Sequence, residues 1–283
     1  MISTQLQSQA AHTRQTGVMQ RLIPVVMVRD GVAVQSKGFR RFQALGDPTT
    51  VVERLSRYAA DELIYLDITP PSRRDLGATR ALVERLAPRS RMPLTFGGGI
   101  TDAAQAVELV RLGADKICMT TAAIDHPERI TATVRELGTQ CVVVGIDASL
   151  RDGRCVALAD NGARETGRDA IEWAIEAADR GAGEILLHAS DRDGAGTGYD
   201  LDLIGRVAST VPIPVVALGG AGRLPETGPH CAAALQAGAS AAAVGNAFNY
   251  AEHSVLKTKR YLHEQGLHVR PATFLHGEGR DEG

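Results

Sequence analysis

Cysteine is scarce in this chain of 283 residues. Cys118, Cys141, Cys155 and Cys231 are the whole set, and none stands at the short spacing that a metal site needs. No metal and no cofactor is expected, and the reading is buried thiols in a reducing compartment. Charge of one sign is also lacking. The formal net charge is −2 with no long charged run, so there is no footprint for nucleic acid or a membrane surface. No apolar run approaches the roughly 20 residues that span a bilayer. Residues 1–18 are polar and Gln-rich, without the apolar stretch of a secretory signal. They read as a disordered or clasping extension, residues 19–270 as one folded domain, and 271–283 as a polar tail. The expected location is the cytoplasm.

What is present is alternation. Short, near-continuously apolar runs at 22–28, 62–67, 93–97, 115–119, 141–146, 184–189, 213–218 and 241–245 read as strands buried on both faces. Amphipathic patterns near 49–60, 75–87, 102–112, 127–137, 168–181, 201–210, 229–237 and 254–265 read as the intervening helices. Thr101 before Asp102 marks one helix start, and Asp125 ahead of His126-Pro127 another. Gly113, Gly138, Gly181, Gly238 and Gly266 close five helices. Eight such units with one composition predict a single (β/α)8 TIM barrel, with a doubly wound open sheet as runner-up. An internal repeat favours the barrel. Phe96-Gly97-Gly98-Gly99 matches Leu218-Gly219-Gly220-Ala221, Gly113-Ala114-Asp115 matches Gly238-Ala239-Ser240, and Asp61–Ile64 matches Gly183–Leu186. These offsets are half a barrel, so the fold is expected to be two duplicated half-barrels.

The repeat also sets Ile23–Gly31 against Val143–Gly153, and there the halves differ. Asp147 ends an apolar strand in the second copy, where the first has Met27. Glycines at strand ends let backbone N–H groups converge on an anion. Gly98 and Gly99 with Thr120 and Thr121 form one such cluster, and Gly219 and Gly220 with Gly245 and Asn246 the other. Asp193-Gly194 opens a third glycine-rich loop. Two related clusters on opposite sides of the mouth predict a ligand with a phosphate at each end.

The runs RLIP, DELIYLDIT, GGGI, GADK, VVVGID, GAGEILL, DRDGAGTGYD and GGAG, in this order over roughly residues 20–270, resemble the cyclase subunit (HisF-like) of imidazole glycerol phosphate synthase. In that family a partner glutaminase releases ammonia, which crosses the barrel and joins a bisphosphorylated substrate. The resemblance implies that Asp147 is one of two catalytic aspartates and that the other has become Met27. A phosphate-holding lysine falls on Gln35, with Lys37 two residues away. A threonine near the active site becomes His188, and a serine at the second phosphate site becomes Leu218. Asp67, Gly99, Asp193, Gly194 and Gly220 match the pattern. Arg21, Glu62, Lys116 and Glu184 match the family's ammonia gate, and Asp115 a residue at the glutaminase interface.

A thioether has no transferable proton, so Met27 puts efficient cyclase chemistry in doubt, since a lost general acid or base costs about 100- to 10,000-fold. His188 could supply that function from strand 6, because imidazole titrates near neutrality. Asp30 reads as a turn residue that matches Asp152, and is not a substitute. The segment Gly31–Gly46, with Lys37, Arg40 and Arg41, reads as a mobile lid loop. Three functions remain open. The chain is a synthase or amidation subunit acting on a phosphorylated or nucleotide-linked substrate, an ordinary cyclase of histidine biosynthesis, or a non-catalytic ammonia conduit that activates a glutaminase.

Overall fold

The computed structural model describes residues 19–57, 60–249 and 254–271. The extension expected at 1–18 and the tail from 272 lie outside the described residues. Eight parallel strands close into a barrel: β1 (Arg21–Arg29), β4 (Leu63–Asp67), β5 (Leu94–Gly97), β6 (Lys116–Met119), β7 (Val142–Arg151), β10 (Glu184–Ala189), β11 (Val215–Leu218) and β12 (Ala241–Val244). Arg21 pairs with Ala241 and Val25 with Ile64, while His188 pairs with Asp147. The fold is the expected (β/α)8 barrel. Its helices are α1 (Pro48–Ser56), α2 (Leu76–Leu86), α3 (Ala103–Arg111), α4 (Thr121–Asp125), α5 (Glu128–Leu137), α6 (Ala170–Asp179), α7 (Leu201–Thr210), α8 (Thr227–Gln236) and α9 (Ser254–Glu264).

Helix ends follow local chemistry, with two adjustments. Asp102, not Thr101, caps α3, its carboxylate accepting from Gln105 N at 2.9 Å. Asp125 ends α4 and accepts from Arg164 Nη2 with both carboxylate oxygens, while Pro127 holds the cap position of α5 without a side-chain bond. The five closing glycines all have positive φ, which only a residue without Cβ adopts freely.

The core divides in two. Outward-facing strand residues such as Leu22, Tyr65, Phe96 and Ile117 pack beneath the helices. A separate cluster fills the barrel itself and includes Ile23, Val25, Met27, Ile64, Val143, Leu186, Val216 and Ala241.

The segment Gly31–Gly46 is not a plain loop. Strands β2 (Val32–Lys37) and β3 (Arg41–Gly46) form an antiparallel hairpin on the extended end of β1. Asp30 and Gly31 have φ of 52° and 76°, the left-handed pair that a two-residue type I′ turn requires. The second half repeats the device. Asp152 and Gly153 have φ of 48° and 80°, and β8 (Arg154–Ala159) pairs with both β7 and β9 (Arg164–Asp169). Asp30 and Asp152 are thus equivalent turn residues, and Asp30 lies at the surface beside Arg73 at 3.1 Å.

Candidate active site

The two hairpins fold inward and meet over the C-terminal mouth. A methyl group added at Gly162, in the tip of the second hairpin, would lie 3.4 Å from the Phe39 ring in the tip of the first. Beneath this bridge Phe39 meets the His188 ring edge-on, with centroids 5.0 Å apart. The first hairpin is tied down on the second-half side. Ser36 Oγ donates to Asp193 Oδ2 at 2.6 Å, Gly38 N donates to Asp193 O at 3.1 Å, and Asn246 Nδ2 donates to Ser36 O at 2.7 Å.

A cavity of about 310 Å³ remains on the first-half side of the bridge, at the small end of ligand sites. Of the residues singled out in the sequence, Asp147, His188, Asp67, Gly98, Gly99, Thr120 and Thr121 line it. Gly194, Gly219, Gly220, Gly245, Asn246 and Lys37 do not line it, nor does Asp193. Close backbone approach occurs in both halves: a methyl group at Gly98 would lie 2.3 Å from Asp67 O, whereas one at Gly245 would meet nothing nearer than Val25 O at 3.9 Å. A methyl group at Gly194 would lie 2.5 Å from Ser36 O, and one at Gly220 would lie 2.1 Å from Gly198 O. Lys37 is exposed at the hairpin tip.

Neighbouring strand ends bring His188 Nδ1 to 3.0 Å from Asp147 Oδ1. Its Nε2 is buried without a hydrogen-bond partner, and the nearest carboxylate oxygen, Asp193 Oδ1, is 3.9 Å away. Burial pulls the imidazole pKa down. The hydrogen bond and charge of Asp147, with the charge of Asp193, outweigh that and raise it above the ordinary 6.5. Met27 is 5 % exposed and packs in the barrel cluster with Val34, Leu66, Phe39 and Phe42. Cys118 lies on the inner wall, its thiol pushed up to about 12 by burial and the nearby Asp147 charge, so it is an inert wall residue. Gly145 makes room for Thr120, since a methyl group there would lie 2.3 Å from Thr120 Oγ1.

Several lining residues escape sequence reading: Arg74, His126, Arg129, Asp160 and Asn161. Asp160-Asn161-Gly162 is a turn signature that places a hairpin tip, and Asn161 Nδ2 bonds Ile68 O at 3.0 Å across the mouth. Arg74 and Arg129 carry no comparable signal.

At the opposite end of the barrel, four charged side chains close a ring. Arg21 pairs with Glu62 at 2.6 Å and also with Glu184, while Lys116 pairs with Glu62 at 3.0 Å and Glu184 at 3.1 Å. Burial opposes ionisation of Glu62, but Arg21 and Lys116 outweigh it and hold its carboxyl below the usual range. Asp115 is exposed just outside, accepting from Leu94 N at 2.8 Å.

These features define a duplicated (β/α)8 barrel with ionisable groups at its C-terminal mouth and an ion-pair ring at its base. The chain belongs to the histidine biosynthesis protein family, which it matches over residues 21–254. It is similar to the imidazole glycerol phosphate synthase subunit HisF of Exiguobacterium sibiricum, 39 % identical over 253 residues, covering 89 % of this chain and 100 % of the relative. The subunits of the same description from Hyphomonas neptunium and Pyrobaculum aerophilum are each 40 % identical, covering 88 % of this chain and 98 % of theirs.

Proposed function

We propose that this chain is an ammonia-using synthase or amidating subunit that works with a glutaminase partner. Ammonia would enter through the ring of Arg21, Glu62, Lys116 and Glu184, next to a partner seated at Asp115. It would meet a phosphorylated or nucleotide-linked substrate at the mouth. Between the two ends lies the apolar interior of Ile23, Val25, Ile64, Val143 and Val216. That medium admits neutral ammonia and disfavours ammonium and other ions.

The observation that carries this reading is the His188–Asp147 pair at 3.0 Å. Asp147 accepts from Nδ1 and so orients the ring and stabilises its imidazolium form, which leaves Nε2 to give or take a proton. An acid/base centre of this kind replaces the carboxylate pair that Met27 breaks, and it uses adjacent strands rather than strands in opposite halves. The retained Asp147, the glycines at 98 and 99 and the cavity argue against a pure conduit, which needs none of them.

A second reading has its own support. Identity of about 40 % to curated HisF subunits favours an ordinary imidazole glycerol phosphate synthase cyclase. Side-by-side ammonia-dependent turnover of that cyclase's bisphosphorylated substrate separates the two. Against the Exiguobacterium relative, this chain should be slower by at least about 100-fold, the lower bound for a lost general acid or base. A rate within about tenfold of the relative would establish the ordinary cyclase.

A further inference from the structure

Asp193 stands between two groups and bonds only one of them. Its Oδ2 accepts from Ser36 Oγ at 2.6 Å and from Phe39 N at 3.3 Å, and its carbonyl oxygen accepts from Gly38 N at 3.1 Å. These three bonds fasten the tip of the first hairpin. Its Oδ1 lies 3.9 Å from His188 Nε2, too far for a hydrogen bond. Both side chains are buried, 6 % and 3 % exposed, and Nε2 has no partner. Phe39, which the fastened tip carries, meets the imidazole edge-on with centroids 5.0 Å apart. The ring nitrogen left for proton transfer is therefore shut in by the segment that Asp193 holds.

A buried polar atom without a partner calls for a reason. Nδ1 donates to the Asp147 carboxylate, which can only accept. A proton taken up by the ring thus goes onto Nε2 and makes it a buried donor beside an acceptor that is engaged elsewhere. Turning the Asp193 carboxylate across the gap would satisfy that donor with a charge-assisted bond and break the bonds to Ser36 and Phe39. Even across the gap, the Asp193 charge helps to raise the His188 pKa. The other groups around the ring do not compete. Asp147 is bound to Nδ1, and Leu218 and Gly219 on the neighbouring strand end carry no charge. Cys118 keeps its proton, its thiol held at about 12, and the hairpin's Lys37, Arg40 and Arg41 are exposed.

We propose that Asp193 is a positioning residue shared between the first hairpin and His188, latching the hairpin while Nε2 is unprotonated and releasing it to pair with Nε2 when the ring is charged. The mouth then opens with the imidazole loaded as a general acid and closes once the proton has been given up. Linkage sets the direction. The released state holds the proton more tightly, so lowering the pH through the His188 midpoint favours release. This rests on His188 being the acid/base centre of the proposed function. Its test needs no substrate, ammonia or partner, so its failure is distinct from failure of the turnover comparison.

The test is amide hydrogen exchange of Phe39 and Gly38 in the full chain, followed by NMR from about pH 5 to pH 9 and corrected for intrinsic rates. Protection of both should fall by about tenfold or more as pH drops through the His188 ring midpoint, as for loss of a hydrogen bond to a charged group. His188→Asn should abolish that dependence. Protection that ignores pH in the native chain, or the same dependence in His188→Asn, would overturn the proposal. A second measurement is the ring titration of His188. Ser36→Ala frees Oδ2 and should raise the midpoint, but should leave it in place when Asp193→Asn is already present. A rise that persists in the double variant would mean that Ser36→Ala merely uncovers the ring, which excludes a shared carboxylate.

Discussion

The two ends of this barrel are built in different ways. At the base, two cations and two anions at or next to the starts of four strands close an alternating ring in which every member has two partners. At the mouth, the Met27 thioether is buried at the position that the repeat sets against Asp147, and the His188 imidazole lies beside that aspartate. A ring of this kind is hard to alter piecemeal, since removing one member strands two charges in a poorly solvated place. A mouth is easier to alter, because loops and strand ends there can repack without disturbing the barrel. The contrast is what the proposed ammonia-using synthase predicts, with delivery kept at the base and chemistry altered at the mouth.

Substitutions can break or sharpen that contrast. The largest effect is expected for His188→Thr. Ammonia-dependent turnover of the chain's own substrate should fall by about 100- to 10,000-fold, as for loss of a general acid/base. A loss below about tenfold would make the histidine a packing residue. Next comes Glu184→Ala, whose carboxylate serves both Arg21 and Lys116 and is 8 % exposed. Urea unfolding should show a loss of about 3 kcal/mol. A loss under about 1 kcal/mol would put the ring among ordinary surface ion pairs.

Met27→Asp would restore the missing carboxylate but set it in an apolar cluster. It should destabilise the fold by about 2 kcal/mol, whereas Met27→Leu should cost under about 1.5 kcal/mol. Unchanged stability in Met27→Asp would mean that the mouth still accommodates the original pair.

The smallest effect is a pH dependence. The folded pKa of His188 is raised above 6.5. Its pairing with Asp147 therefore contributes fully below about pH 6.5 and is lost as pH rises through the folded value. The native chain should lose up to about 1.4 kcal/mol for each pKa unit of the shift across that window. His188→Asn should lack this slope.

Much of the barrel was legible because buried parallel strands read as apolar runs and helix-closing glycines punctuate them. The hairpins were not, although Asp30-Gly31 and Asp152-Gly153 carry the turn signal. Their strands are short, and β9 (RETGRD) is mostly polar, so neither alternation nor burial marked them. That omission had consequences at the site. As a hairpin, Gly31–Gly46 carries Ser36 and Phe39 onto Asp193 and His188. Asp147 was singled out by the repeat and His188 by the family resemblance, while the register of adjacent parallel strands is what brings the two together. Arg74 and Arg129 were missed because a lone arginine after a strand or on a helix looks like any solvated charge. What sets them apart is that they line the cavity without a carboxylate partner among the described residues, and both are tertiary properties.

The histidine–carboxylate centre is tested most directly by following the His188 ring protons by NMR against pH, in the native chain and in Asp147→Asn. The expected result is a midpoint above 6.5 in the native chain, and a lower one when the Asp147 charge is removed. A native midpoint at or below 6.5 that Asp147→Asn leaves in place would contradict it.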